Sequence, residues 1–249
     1  MLLTEIDHFS HSHRLKLMPV EAPYQCDGCK ELGFAPCYQC TMCSFHLHEE
    51  CARAEPNISH KYFKKCNFKF YEENLRGGVR ICDACGKDIQ GFLYQCSHEK
   101  AFDLHPCCAK LKETLTGPEG IKLYLSNKVQ LKCLKCQRKK TSNRVKGFSY
   151  VSSSGKYCYH VACVKDLIVD NWRRAHFSGI TEVNGHLALQ NIAVPSQEVA
   201  LLSGQSSMLR KAKTFCKKAL LYIRLVVSAI FGNPTDLIFA ILEPLLSNN

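Results

Sequence analysis

The chain has 249 residues, with 33 Lys and Arg against 22 Asp and Glu, and its formal net charge is +11. This length allows one large domain or several small ones, and the hydrophobic fraction of 46% is ordinary. The charge favours an anionic partner, whether nucleic acid, phospholipid or acidic protein. The 17 cysteines are an odd number, which argues against a framework made of disulfides alone.

The N-terminal segment indicates the cellular compartment in which we expect the protein. The first residues, MLLTEIDHFSHSHRLK, carry Glu5 and Asp7 and no apolar run, so we expect no signal peptide. We therefore expect a cytoplasmic or nuclear protein, or one attached peripherally to a membrane. Disulfides do not persist in a reducing compartment. The cysteines are accordingly interpreted as ligands of zinc, the usual metal for mixed thiolate and imidazole sites.

The sequence contains three similar clusters of cysteine and histidine, which we call modules. The first is the densest, CDGCKELGFAPCYQCTMCSFHLHEEC, from Cys26 to Cys51. With one histidine upstream and one downstream, it offers eight ligands, enough for two zinc ions. We predict interleaved pairing, with Cys26, Cys29, His48 and Cys51 around one ion and His13, Cys40, Cys43 and His60 around the other. His11 competes with His13 for the first position of the second set, and Cys37 is predicted to be a packing residue.

The spacing of the ligands can be explained by local backbone geometry. A C-x2-C sequence in a tight turn directs two thiolates at one point, and H-x2-C on a first helical turn places two ligands on one face. Four such ligands close a tetrahedral site with no open position, which is the form of structural zinc.

The second module repeats this pattern. Its first ligand set is Cys82, Cys85, His105 and Cys108. A second set is irregular and would hold a fifth zinc ion; its candidates are Cys66, Cys96, His98 and Cys107. The alternative is that Cys107 is a small buried residue and His98 a solvated loop histidine. The repeated residues Tyr38, Tyr94, Leu47 and Leu104 are predicted to form the small cores of the two modules.

The third module follows the ligand pattern less closely. It keeps Cys133, Cys136, His160 and Cys163, while Ser152 and Gly155 occupy the positions of the second set, so we predict one zinc ion. The total is four zinc ions, or five with the irregular site. Cys158 is predicted to be a packing residue. The basic loop CLKCQRKKTSNRVK is either an anion-binding or nuclear-import patch or a solvated loop. Nucleic-acid binding is not expected, because no stacking aromatics interleave with these charges.

The C-terminal part is predicted to be helical. After Cys163 a helix places Val164, Leu167, Ile168 and Trp172 on one face. A linker (177–205) precedes a tail (206–249) whose helix, Met208 to Phe231, is basic in its first half and apolar in its second. Its apolar run is too short for a simple membrane span. It packs as a helical hairpin or binds an anionic membrane surface through 208–231.

The motifs together resemble plant divergent C-one domain proteins, distant relatives of the diacylglycerol-binding zinc domains of protein kinase C. The resemblance covers roughly residues 8 to 172 and rests on HFSHSHRLKL, YQCTMCSFHLHEECA, CDACGKDIQGFLYQC, FDLHPCCAKL and YHVACVKDLIVDNW. It implies tandem small α+β modules with a treble-clef-like fold, short β-hairpins and a short helix that carries H-x2-C. We expect modules at 8–60, 61–117 and 118–176. It also implies a role in plant intracellular signalling or stress responses.

No catalytic constellation is found, so we expect a non-enzymatic interaction or adaptor protein with a protein partner. One alternative is a PHD-type histone reader, with Cys82 and Cys85 as the last ligand pair of the first module. Another is a protein-disulfide reductase that uses one C-x2-C. Diacylglycerol binding is not expected, because only ten residues separate Cys29 from Cys40, fewer than in the lipid-binding domains.

Overall fold

The computed structural model describes residues 4–73, 77–97, 102–117, 120–128, 131–141, 145–177 and 206–231, without the side chains of 174–177, 206–217 and 220. Within these residues, three four-stranded antiparallel sheets follow one another along the chain. Each sheet is followed by a helix that starts directly after a histidine. The predicted fold class of tandem small β-hairpin modules with short helices and a helix near the C-terminus is confirmed.

Module one has the sheet order β1-β2-β5-β6. Its elements are β1 (Glu5–His8), β2 (His11–Met18), β3 (Tyr24–Gln25), β4 (Leu32–Gly33), β5 (Cys37–Cys40), β6 (His46–His48) and α1 (Glu49–Ala52). Strands β3 and β4 form a separate two-stranded ribbon.

Module two has the order β12-β11-β8-β7 and a ribbon of β9 with β10. Its elements are β7 (Asn57–Ser59), β8 (Asn67–Tyr71), β9 (Arg80–Ile81), β10 (Asp88–Ile89), β11 (Leu93–Cys96), β12 (Asp103–Leu104) and α2 (Pro106–Ala109). Module three has the order β13-β14-β15-β16. Its elements are β13 (Thr114–Thr116), β14 (Lys122–Ser126), β15 (Ser149–Ser152), β16 (Cys158–His160) and α3 (Val161–Phe177), after which α4 spans Ser206–Phe231.

The same cross-strand pair forms the core of the first two modules. Tyr38 pairs with Leu47, and Tyr94 pairs with Leu104. All four side chains are fully buried, which confirms the predicted cores. The buried Tyr94 hydroxyl donates to the carbonyl of Glu55, so its polar end is satisfied.

Neighbouring modules dock through a repeated backbone contact. The amide of Phe92, directly before β11, donates to the carbonyl of Gly28 in module one. The amide of Phe148, directly before β15, donates in the same way to Ala84 in module two. A Cβ at Gly91 would lie 1.9 Å from the Gly28 carbonyl oxygen, so the first contact requires glycine at position 91.

The two ends of the array lack the residues for this contact. Pro36, directly before β5, stands in the place of Phe92 and has no amide hydrogen to donate. Lys135 stands in the place of Gly28, and its ammonium lies 3.8 Å from the Asp170 carboxylate. The docking contact is therefore specific to the junctions between modules one and two and between modules two and three.

The two long helices close the array on one side. In α3, Val164, Leu167 and Ile168 are buried and Trp172 is partly buried, as the periodicity predicted. Helix α4 begins at Ser206, two residues before the predicted start. The predicted linker, apart from Phe177, and the tail beyond Phe231 lie outside the described residues.

The apolar half of α4 packs on the modules. Its buried side chains include Tyr222, Ile223, Val226, Val227 and Ile230. The Tyr159 hydroxyl donates to the Ala219 carbonyl, and the Tyr157 and Tyr222 rings lie 4.5 Å apart. None of the described helices combines the length and the apolar character needed to cross a membrane.

Candidate metal centres

A repeated turn positions the C-x2-C pair of each module. The amide of the residue after the second cysteine donates to the carbonyl of the first cysteine, at 2.7–2.9 Å in the three modules. That residue has positive φ in every case: Lys30 at 64°, Gly86 at 70° and Gln137 at 56°. The left-handed residue folds the chain back, which directs both thiols to the same side.

The second half of each site comes from the helix start. His48 and His105 directly precede α1 and α2, and His160 directly precedes α3. The cysteine three residues later lies in the first helical turn, so the ring and the thiol share one face. The amide of His48 also donates to the Cys26 sulfur, and that of His160 to the Cys133 sulfur, both at 3.4 Å.

These two halves meet in three tetrads, which we call the knuckle sites. They consist of Cys26, Cys29, His48 and Cys51; of Cys82, Cys85, His105 and Cys108; and of Cys133, Cys136, His160 and Cys163. In each, the four ligand atoms lie within 4.8 Å of one another. The distances from the histidine Nδ1 to the sulfurs of the second and third cysteines run from 3.3 Å for Cys29 to 4.0 Å for Cys51 and Cys108. A tetrahedron with Zn–S bonds of about 2.3 Å has edges in this range, so the residues fit zinc.

In modules two and three, one knuckle thiol is stabilised as the thiolate by a hydrogen bond from a second cysteine, whose own pKa is raised. A hydrogen bond from Cys163 lowers the pKa of the Cys133 thiol to about 3. A hydrogen bond from Cys108 lowers the pKa of Cys85 well below its usual value. In module two the other ring nitrogen of the histidine, His105 Nε2, lies 3.2 Å from the Asp88 carbonyl oxygen. Donation to this carbonyl leaves the Nδ1 lone pair free for a metal.

A fourth tetrad lies beside the sheet of module one, and we call it the sheet site. It consists of His11, His13, Cys40 and Cys43. His11 and His13 point to the same face of β2, because they are two residues apart. The pairing of β2 with β5 brings them to the cysteines, with His11 Nε2 at 3.3 Å from the Cys43 sulfur and His13 Nδ1 at 3.6 Å from the Cys40 sulfur.

The prediction that His60 completes this set is corrected. His60 follows β7, which belongs to the sheet of module two, and its ring stacks on Phe148 with centroids 5.4 Å apart. Burial lowers the pKa of His60. His11 takes the place that the sequence analysis gave to His60.

Residues 9–52 match the family model of the C1 domain. Module one is similar to the C1 domain, and we call it the C1-type domain. The matched residues contain all eight ligands of its knuckle and sheet sites, which agrees with the resemblance seen in the sequence. Neither a curated protein nor a solved structure matches the chain.

The predicted second site of module two is also corrected. Cys66 and Cys96 form a disulfide, with their Cα atoms 5.4 Å apart. Cys107 lies instead beside the knuckle site of the C1-type domain, where it hydrogen-bonds to Cys29 and Cys51 and its sulfur is 3.7 Å from the Glu50 carboxylate. His98 lies outside the described residues. The disulfide also overturns the expectation that the chain has none.

Two cysteines outside the tetrads are packing residues, as predicted. Cys37 and Cys158 are buried, and neither belongs to a tetrad among the described residues. Burial raises the pKa of Cys37 to about 11 and that of Cys158 to about 12. Both thiols therefore stay neutral at physiological pH.

Sequence reasoning missed a buried ion pair that joins all three modules. Lys165 of α3 donates to both carboxylate oxygens of Glu31 in the C1-type domain, at 2.7 and 2.8 Å. Its ammonium also lies 3.5 Å from the Cys108 sulfur of module two. Burial opposes the charge of Lys165, but the neighbouring Cys108 and Glu31 raise its pKa well above the usual value. A signal exists in the sequence, because position 165 lies on the same helical face as Val161 and Ile168.

Proposed function

We propose that this chain is a non-enzymatic, zinc-stabilised interaction protein, in which four zinc ions hold three modules in a fixed array that binds another protein. The observation that carries this proposal is the closure of the four tetrads. Each offers four protein ligands within 4.8 Å of one another, so a bound zinc ion has no open position for a substrate or a reactive water.

The sizes of the modules support a structural role for the metal. Each sheet has four strands of two to eight residues and buries only a few large side chains. Units of this size bury too little surface to fold by themselves. Zinc binding contributes about 10–16 kcal/mol in small finger peptides, which is as large as the whole stability of a typical domain.

The fixed arrangement of the modules supports an interaction role. The two backbone docking contacts and the buried pair of Lys165 with Glu31 hold the three modules together. Because α4 covers part of this array with the apolar face of 218–231, we propose that the tail is a packing element rather than a membrane anchor. The resemblance to plant divergent C-one proteins suggests that the partner belongs to an intracellular signalling pathway.

Two alternative functions are less well supported by the same geometry. A PHD-type reader needs the C1-type domain to share ligands with Cys82 and Cys85, but these two residues form a tetrad with His105 and Cys108. A disulfide reductase needs a free C-x2-C. Four such pairs of this sequence lie within tetrads, and the fifth, Cys37 with Cys40, joins a buried neutral thiol to a cysteine of the sheet site.

The test is capture of partners from a cell extract by three forms of the full chain. The wild type and Cys158→Ala retain all tetrad residues, while Cys163→Ala removes one ligand of the third knuckle site. We expect the same proteins to be captured by the first two forms and lost with the third or after chelation. Equal capture by Cys163→Ala, or insulin reduction by the zinc-loaded chain, would overturn the proposal.

A further inference from the structure

A lysine-rich groove lies between modules two and three. It consists of two adjoining cavities, one of about 1010 Å³ and one of about 300 Å³. They share Asn127, Lys128, Lys146 and Gly147. We call this feature the lysine groove and define it by Lys64, Lys65, Lys128, Lys139, Lys140 and Lys146.

The charge of the lysine groove is uncompensated. Its six lysines make no ion pair with an acidic residue in the described part of the chain, and all are exposed. By contrast, neighbouring Lys61 is paired with Glu113 at 2.6 Å. Asp83 also lines the wide cavity, but burial raises its pKa to about 6 and its carboxylate accepts the amide of Asp103. Like charges held together in this way favour an anion between them.

The two cavities have different linings. The narrow one is lined by polar residues and Gly147, and Lys128, Lys139, Lys140 and Lys146 line it together with Asn127 and Ser149. The wide one has an aromatic floor beneath its lysines, formed by Tyr62, Phe63, Phe102 and Phe148. A ligand that fits both parts carries dense negative charge at one end and a carbon framework at the other.

We propose that the lysine groove binds a multiply phosphorylated small ligand, either free in solution or as a lipid headgroup. One phosphate monoester carries a charge of about −1.5 to −2 at neutral pH, so at least two are needed to balance the four ammonium groups of the narrow cavity. The carbon ring of the ligand then lies on the aromatic floor of the wide cavity. A single-stranded nucleic acid would instead stack its bases on the half-buried rings of the floor, so an oligonucleotide is included among the probes below.

This inference is independent of the proposed protein partner. The groove crosses the junction where the Phe148 amide donates to the Ala84 carbonyl, and Phe148 itself forms part of its floor. A bound ligand would therefore contact both modules and stabilise their docking. The tetrads and their zinc ions take no part in the contact.

The first test uses the zinc-loaded full chain and inositol 1,4,5-trisphosphate, measured by isothermal titration calorimetry at about 150 mM salt, where distant surface charges are screened. Lys128→Glu/Lys146→Glu changes two residues that line both cavities. The matched control, Lys122→Glu/Lys156→Glu, changes two exposed lysines of module three outside the groove. Both variants lower the net charge from +11 to +7. Unchanged zinc content and melting temperature establish that each is folded.

The second test separates the two sources of the phosphates. Flotation compares vesicles that contain phosphatidylinositol 4,5-bisphosphate with vesicles of equal charge that contain phosphatidylserine. A free ligand is supported if the soluble trisphosphate binds saturably and if its binding is weakened at least about tenfold in the groove variant but not in the control. A lipid headgroup is supported if the groove variant shows the same weakening in its flotation with bisphosphate vesicles and the soluble trisphosphate shows no such effect. Equal weakening in both variants, equal flotation with phosphatidylserine, stronger binding of an oligonucleotide, or no binding to either probe would overturn the proposal.

Discussion

The knuckle sites are alike in the three modules, whereas the position of the sheet site holds different residues in each. All three modules have the same Cys₃His knuckle tetrad. At the sheet position, His13 and Cys40 in the C1-type domain correspond by strand register to Cys66 and Cys96 in module two. The same register gives Ile121 and Ser152 in module three. A metal tetrad, a disulfide and a set of hydrogen bonds therefore occupy one position of the fold.

The difference follows from what each position connects. A knuckle site joins a turn to a helix start, two parts that are linked by individual hydrogen bonds, such as that from the Asp27 amide to the His46 carbonyl, rather than by a strand ladder. A metal bound there would hold the module together. The sheet position lies beside strands that are already paired, such as Leu15 with Cys40 and Phe68 with Cys96. A link there reinforces an existing ladder, and a weaker link is sufficient. In module three, Ser152 Oγ accepts the amide of Tyr157 at 3.1 Å.

The largest effect is expected from the loss of a knuckle ligand. Cys163→Ala removes a thiolate from the third tetrad, and we expect module three to unfold and the zinc content to fall by one per chain. Cys158→Ala removes a buried thiol of the same module that binds no metal, and it should cost about 1 kcal/mol. Elemental analysis and limited proteolysis measure both. Similar protection of the two variants would contradict the distinction.

At the sheet site of the C1-type domain, His11→Ala should remove one zinc ion while the knuckle site keeps module one folded. His60→Ala should leave the zinc content unchanged, because its ring packs on Phe148 rather than beside Cys40. The measurement is zinc per chain for the two purified variants. Loss of zinc with His60→Ala and not with His11→Ala would restore the original ligand assignment.

At the sheet position of module two, Cys66→Ala/Cys96→Ala should lower the free energy of unfolding by about 2–4 kcal/mol, the usual contribution of a disulfide that closes a loop of this length. Denaturant titration of the oxidised chain and the double variant gives the difference. The zinc content should not change. A variant that contains one zinc ion fewer would show that these cysteines bind metal.

The smallest effect is expected in module three. Ser152→Ala removes the acceptor of the Tyr157 amide, and we expect a loss of about 1 kcal/mol. Ser154→Ala serves as the control, since its exposed hydroxyl contacts only the Ser152 hydroxyl among the described residues. Equal melting temperatures for wild type and Ser152→Ala would mean that this hydrogen bond does not replace the missing crosslink.

The sequence predicted the knuckle sets because their residues lie close together in the chain and recur three times. Choosing between His11 and His60 was harder, because the choice depends on the sheet to which each residue belongs. His60 follows a strand whose pairing, Ile58 with Phe68, lies in module two, and this long-range contact has no local signature. His11 was named only as a competitor of His13, although both lie on one face of the same strand.

The disulfide was missed for a different reason. The expected reducing compartment excluded every disulfide in advance, so Cys66 and Cys96 were interpreted as metal ligands together with His98 and Cys107. The register of β8 with β11 places the two sulfurs on the same face, where no further ligand of the described residues joins them. Lys165 was missed because its carboxylate partner, Glu31, is 134 residues away in the sequence.

Native mass spectrometry of the full chain, purified without added metal, tests the central claim most directly, because it counts zinc ions and shows whether Cys66 and Cys96 are oxidised in the same species. The account predicts four zinc ions and one disulfide per chain, one ion for each tetrad and none at the sheet positions of modules two and three. Five zinc ions with both of these cysteines reduced, or fewer than four in the folded chain, would contradict it.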